Sequence, residues 1–265
     1  MFQIYQARKL VKVIEARYGH TQPWVVLCEG TSGWTHLVVK VFTDSHLSEK
    51  PRVHGEFAGS WLAGEFDLLT PDIAWVEMDQ DFINSLPPAL ELLLDYHDDR
   101  LKFGSNALGS FQHFTPGLKH SVFKKFLPVD RLFAFDNFIR NPDRGSHKPN
   151  LLLSDYQAYL IDHEYALDID LSTIQQIKDS ILPGRFSTTH IAYPLLSQGG
   201  SLEKASYFDD FGLFLRALNL NDLNSILVEV TNQGYQADIG MIMDYFRFIK
   251  LNQTIFVNLL KREIS

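Results

Sequence analysis

Cysteine is almost absent. Cys28 is the single one in 265 residues, which excludes an internal disulfide framework and a cysteine-cluster zinc site. Its neighbours Trp24 to Leu27 mark a buried strand position, where Cys acts as a small apolar residue. Long hydrophobic runs are missing too, and nothing approaches the length of a membrane span. The opening stretch, MFQIYQARKLVKVIEARYG, alternates instead of carrying the uninterrupted apolar core of a signal peptide. A cytoplasmic location without a membrane partner is the expectation. Positive charge is scarce: 24 Lys and Arg face 32 Asp and Glu, a net charge of -8. Nucleic acid is therefore not expected as the main partner, although a local basic groove is compatible with that balance. Repeats and low-complexity tracts are lacking. The ten histidines include no His-x-x-x-His helix, which argues against zinc. No serine sits in a Gly-x-Ser-x-Gly setting, which argues against a serine hydrolase.

What is present reads as an ordinary globular chain, 45% hydrophobic and 21% charged, long enough for one large domain or two lobes sharing a cleft. The first 42 residues predict three strands: Leu10 to Ile14, Trp24 to Cys28 and Leu37 to Phe42, with Gly30-Thr31-Ser32-Gly33 as a hairpin turn. Residues 49–66 have helical spacing, with Phe57, Trp61, Leu62 and Phe66 largely on one face. Ile73 to Met78 reads as a fourth strand, and residues 79–97 as a helix broken by Pro87-Pro88. A last strand follows Arg100. Helices dominate from about residue 115: 129–139, 170–182, 203–218, 221–233 and 237–263, with a long loop over 185–201.

Residues 136–164 carry most of the chemistry. A helix end leads into a polar loop holding Asp143, Arg144 and Asn150. Leu151 to Leu153 then form a strand, Ser154-Asp155 turns, and Tyr159 to Ile161 lead into Asp162. A tight hairpin would set Asn150 and Asp162 side by side at its open end, with Asp143 just ahead. An Asp, an Asn and a second Asp converging in this way suit phosphoryl transfer: one carboxylate orients a hydroxyl, while an amide oxygen and the other carboxylate hold magnesium. A structural account stands beside it, because Asp, Asn and Pro populate loops for their turn chemistry alone. His147 and His163 flank the site, most simply as structural or supporting groups.

The segments FDNFIRNPDR, PNLLL and LIDHEYAL resemble the catalytic core of the HipA-like kinases, bacterial relatives of the protein-kinase fold. The resemblance runs over about residues 10 to 165 and implies an α+β, two-lobed protein-kinase-like fold. A small antiparallel β-sheet lobe (residues 1–108) would precede a mainly helical lobe (109–265), with ATP and Mg2+ in the cleft. It implies that Asp143 is the catalytic Asp and that Asn150 and Asp162 are the metal ligands. Lys40, inside Val38-Val39-Lys40-Val41-Phe42, would be the phosphate-binding lysine and Glu56 its partner, with Glu65 the alternative. Without the rest of the pattern, Lys40 could equally be an outward-facing strand lysine. The nucleotide would also meet the turn around Gly19, His20, Thr21 and Gln22, which has one glycine where protein kinases have three, and a hinge near Asn106, Ala107 and Leu108. One departure stands out: protein kinases place the metal-binding Asn five residues after the catalytic Asp, where this chain has Lys148. The phase of the following Leu-Leu-Leu assigns that role to Asn150 and implies a loop two residues longer. The resemblance further implies a serine/threonine protein substrate, an antitoxin-like partner, and Thr21 as an autoregulatory site. Two other functions stay open: a small-molecule phosphotransferase on the same scaffold, and a nucleotide-binding or interaction module without turnover.

Overall fold

The structure, a computed structural model, describes the chain except residues 15–21, 95–97, 110, 114–119, 155–156 and 185–186. In order come β1 (Ile4–Val13), β2 (Trp24–Gly30), β3 (Gly33–Lys40), α1 (Asp44–Glu49), α2 (Arg52–Glu65), β4 (Ile73–Glu77), α3 (Gln80–Asn84), α4 (Pro88–Glu91) and β5 (Lys102–Asn106). Then follow β6 (Gln112–His113), α5 (His120–Phe126), α6 (Val129–Phe138), β7 (Leu151–Leu153), β8 (Ala158–Leu160), α7 (Leu171–Lys178) and α8 (Tyr193–Ser197). The chain closes with α9 (Ser201–Ser206), α10 (Asp209–Ala217), α11 (Leu220–Asn232), α12 (Ile239–Leu251) and α13 (Gln253–Glu263).

The mixed α+β class holds, but the small antiparallel sheet is corrected to a closed barrel in the order β1-β2-β3-β5-β4. Closure comes from the N-terminal part of β1, which begins earlier than the Leu10 to Ile14 stretch. Residues Gln6 to Val13 pair antiparallel with β2, while Ile4 to Gln6 pair parallel with β4. Register shifts between Ala7 and Lys9 and between Leu10 and Lys12 bend the strand enough to serve both neighbours. The hairpin turn at Gly30 to Gly33 forms as its composition predicts, with Gly30 opposite Gly33.

Strand parity then assigns the faces. Trp24, Val26 and Cys28 of β2, Leu37 and Val39 of β3, and Ala74 and Val76 of β4 share one apolar cluster, joined by Phe82 and Leu86. Trp75 and Phe103 belong to a second cluster with Phe57 of α2 and Ile226 and Val230 of α11. Because side chains alternate across a strand, Lys40 falls on the face opposite Val39 and looks toward α2. Behind α2, a larger core gathers Leu62 and Phe66 with Phe133, Phe135 and Phe138 of α6, Phe211, Phe246 and Phe256.

Three expectations change in detail. Residues 203–218 hold the end of α9 and all of α10, parted at Phe208, whose φ is 69°. Residues 237–263 form two helices, because Asn252 leaves the helical region (φ -113°, ψ 33°) while its side-chain amide donates back to the Phe248 carbonyl. Residues 187–197 hold a short turn of helix at Ser187–Thr189 followed by α8, with His190, Ala192 and Leu196 buried, instead of a continuous loop.

Candidate active site

The β7–β8 hairpin sets the site. Leu151 pairs with Leu160, and the Ile161 amide donates to the Asn150 carbonyl at 3.0 Å, so Asn150 and Asp162 lie at the open end. Both take left-handed backbone angles, φ 49° for Asn150 and φ 65° for Asp162, a region that short polar side chains enter more readily than branched ones. Asn150 donates through Nδ2 to the Asp143 carbonyl at 2.8 Å and to Asp143 Oδ2 at 3.1 Å. The extended loop therefore closes back on Asp143.

Lys40 meets this group from the barrel. Its ammonium bonds the carboxylates of Glu56 and Asp162 and lies 3.4 Å from Glu164 Oε2, with only 8% of the residue exposed. Burial alone would drive the ammonium neutral; the charges of Asp162, Glu56 and Glu164 overcome it and hold the pKa well above the ordinary lysine value. The second oxygen of Glu56 accepts the His163 backbone N–H at 3.2 Å, so one carboxylate fixes both the lysine and the segment carrying Asp162. Burial pushes the Glu56 carboxyl up to about 7 against the pull of Lys40. Burial acts on Asp162 in the same sense, but Lys40 and Lys148 keep it far below the usual carboxylate range. Glu65, the alternative partner, is exposed.

Oxygens of Glu56, Asp162 and Glu164 lie within 4.8 Å of one another. The Lys40 ammonium contacts all three, so a side-chain cation already sits among them. A second cation position lies between Asp143 and Asp162, where Lys148 Nζ is 2.8 Å from a carboxylate oxygen of each.

Beneath the loop, Arg144 is completely buried. It donates to Asp136 Oδ2 at 2.7 Å and to the carbonyls of Asn150 (2.7 Å) and Pro149 (3.2 Å). Its Nη2 lies 3.3 Å from His163 Nε2. A guanidinium can only donate, so Nε2 accepts and the His163 proton sits on Nδ1, 3.5 Å from Ser60 Oγ. Burial, with Arg144 adding to it, pushes His163 down to about 3, so the ring is neutral at physiological pH. Asp136 also accepts from His190 Nε2 at 2.9 Å and Asn141 Nδ2 at 3.1 Å.

The sequence thus brings Lys40, Glu56, Asp143, Asn150 and Asp162 into one place. Gly19, His20 and Thr21 lie outside the described residues, and Gln22 is exposed. The expected hinge residues Asn106 and Ala107 continue the pairing of the barrel edge. The Asn106 amide donates to the Asp72 carbonyl at 2.8 Å and the Ala107 amide to the His36 carbonyl at 2.9 Å. Leu108 is half-buried beyond them. Glu164 and Arg52, whose Nη1 is 3.3 Å from Glu164 Oε1, were not singled out from the sequence, nor was the Asp136–His190 contact. Glu164 stood in plain view two residues after Asp162. His190 comes from a distant segment and carried no local signal.

The fit of α2 against the hairpin rests on glycine. A Cβ at Gly55 would stand 2.7 Å from the His163 carbonyl oxygen, whereas at Gly64, in the same helix, nothing lies within 4 Å. Gly64→Ala is expected to raise stability by about 0.5–1 kcal/mol through helix propensity. Gly55→Ala should instead lower it by about 1–3 kcal/mol, because backbone must move. Urea midpoints shifting in the same direction for both variants would sink this account.

A buried lysine from a barrel strand, a glutamate from α2, and an aspartate closing a hairpin beside a second loop aspartate stand together, residue types that kinase-class phosphoryl transfer uses. Residues 10–202 match the HipA-like kinase family. The chain belongs to that family, and the membership supports a kinase function. Comparison with curated proteins finds no match. Among solved structures, the chain is similar to the Helicobacter pylori proinflammatory kinase CtkA, with 10% identity over 96% of this chain and 95% of that one and a TM-score of 0.49. No helix among the described residues is long and apolar enough to cross a membrane.

Proposed function

We propose that this protein is an ATP- and Mg2+-dependent kinase that transfers the γ-phosphate to a hydroxyl, taken here as a serine or threonine of a protein. The barrel and the helical part would act as two lobes meeting near residue 108, with the nucleotide between them. The observation that carries this reading is the Lys40–Glu56–Asp162 contact, which joins a barrel strand to the hairpin bearing Asp143 and Asn150 at its mouth.

Lys40, held by Glu56, would receive phosphate oxygens on a rigid, nearly dry cation. Asp143 would accept the hydroxyl proton, its loop held by the Asn150 amide. Asp143, Asn150 and Asp162 offer hard oxygen donors, and a side-chain cation already lies between the two carboxylates, so these residues fit a divalent ion of the magnesium type. Such an ion would supply positive charge toward the phosphates. Positioning and charge neutralisation account for the catalysis.

The decisive comparison uses radiolabelled ATP with wild type and Asp143→Ala. Wild type should label protein hydroxyls. The variant should lose at least about a hundredfold in rate while keeping its thermal shift with ATP. Equal transfer by both proteins rejects Asp143, and an ATP shift without transfer by wild type identifies a nucleotide-binding module.

A further inference from the structure

The loop position five residues after Asp143 is where protein kinases keep a metal-binding amide, and here it carries a cation. Lys148 Nζ is 2.8 Å from Asp143 Oδ2 and 2.8 Å from Asp162 Oδ2. The other oxygen of Asp162, Oδ1, bonds the Lys40 ammonium. Both oxygens of Asp162 therefore face lysines, and one oxygen of Asp143 is taken as well.

The two lysines differ in their way out. Lys40 has 9% of its side chain exposed and is tied to three carboxylates, while Lys148 has 29% exposed and, among the described residues, pairs with Asp143 and with the metal-ligand candidate Asp162. Like charges cannot share one small gap between two carboxylates at low cost. A divalent ion bound by Asp162 therefore competes with Lys148 first.

We propose that Lys148 is a tethered counter-ion that holds the metal position in the nucleotide-free protein, and that a divalent ion enters by displacing it. The inference rests on the metal-dependent reading above. It adds a threshold: the site takes up a divalent ion more weakly than a carboxylate pair without a lysine would, because the ion must first displace Lys148 from Asp143 Oδ2 and Asp162 Oδ2. Without Lys148, Asp143 and Asp162 repel each other across the gap and bind a hard cation more tightly.

The test compares wild type, K148M and K148R in two measurements that need no turnover. Mn2+ affinity is read by electron paramagnetic resonance titration without nucleotide, and thermal unfolding is followed in EDTA and in millimolar Mg2+. K148M should bind Mn2+ at least about tenfold more tightly than wild type, with K148R near wild type. In EDTA, K148M should melt below wild type, and Mg2+ should raise it by more than it raises wild type. K148Q provides the same comparison if K148M does not yield folded protein. An unchanged or weaker Mn2+ affinity in the uncharged variant overturns the counter-ion. Absence of Mn2+ binding to every protein, with ATP present or not, removes the metal-dependent reading on which it stands.

Discussion

Lys40→Met is expected to abolish measurable phosphoryl transfer, a loss of about a hundredfold or more, and to destabilise the protein in a way that depends on pH. Removing the ammonium leaves Arg52 beside Glu164 and Lys148 beside Asp162, but takes from Glu56 its only cation among the described contacts. A buried carboxylate stripped of its partner costs about 3–5 kcal/mol while it stays charged. In wild type, burial already pushes Glu56 from 4.5 up to about 7; without Lys40 it must rise further. A carboxyl whose folded pKa is raised binds its proton more tightly folded than unfolded. Its contribution is therefore complete below 4.5 and is lost as pH climbs through the folded value. The deficit of the variant relative to wild type should be largest at about pH 8 and shrink toward about pH 5. Taking the difference at each pH cancels the acid sensitivity from His54, which burial pushes down to about 4. Urea unfolding across this range provides the check, and a deficit that does not vary with pH would exclude Glu56 as its source. Adding Glu56→Gln to Lys40→Met should recover part of the stability at about pH 8 without recovering transfer.

The second large effect belongs to Arg144→Met. Arg144 is fully buried and ties the end of α6, the loop carbonyls of Pro149 and Asn150, and His163 into one unit. Truncation leaves the Asp136 carboxylate buried with only His190 and Asn141 and frees two carbonyls, so a loss of about 3–5 kcal/mol is expected. Burial pulls the Asp136 pKa upward, and Arg144 with His190 overcomes it to hold the group below the ordinary carboxylate value. Removing the guanidinium therefore makes that charge the main liability. Arg144→Lys should also fail, because an ammonium cannot span the carboxylate, two carbonyls and an imidazole that the planar fork reaches together. The distinguishing measurement is a double-mutant cycle. Asp136→Asn in the Arg144→Met background should be more stable than Arg144→Met alone, since it removes the uncompensated charge. A double variant no better than the single one would show that the lost carbonyl contacts, rather than the charge, set the cost.

These effects show how the site divides between what was legible in sequence and what was not. Asn150 and Asp162 could be found because they flank one short hairpin, with Asp143 on the loop just ahead, where strand length, turn and register are local properties. Lys40 was visible as a cation inside an apolar strand, but its direction depended on which face of β3 the barrel buries. That is fixed by Leu37 and Val39 packing with residues of β2 and β4. Glu56 was preferred to Glu65 through the family resemblance, and the docking of α2 buries Glu56 against Lys40 while Glu65 faces solvent.

The sequence by itself determined the α+β class, the hairpin at 151–160 and the order of the charged residues along the chain. Periodicity, turn chemistry and spacing act over a few residues and need no distant partner. Tertiary structure alone decided that Ile4 to Gln6 close the sheet into a barrel, that His190 reaches Asp136, and that Lys148 lies between Asp143 and Asp162. Those outcomes join segments far apart in the chain or set the direction of a long flexible side chain. Packing and charge balance in the folded molecule select them, and no local pattern encodes that choice.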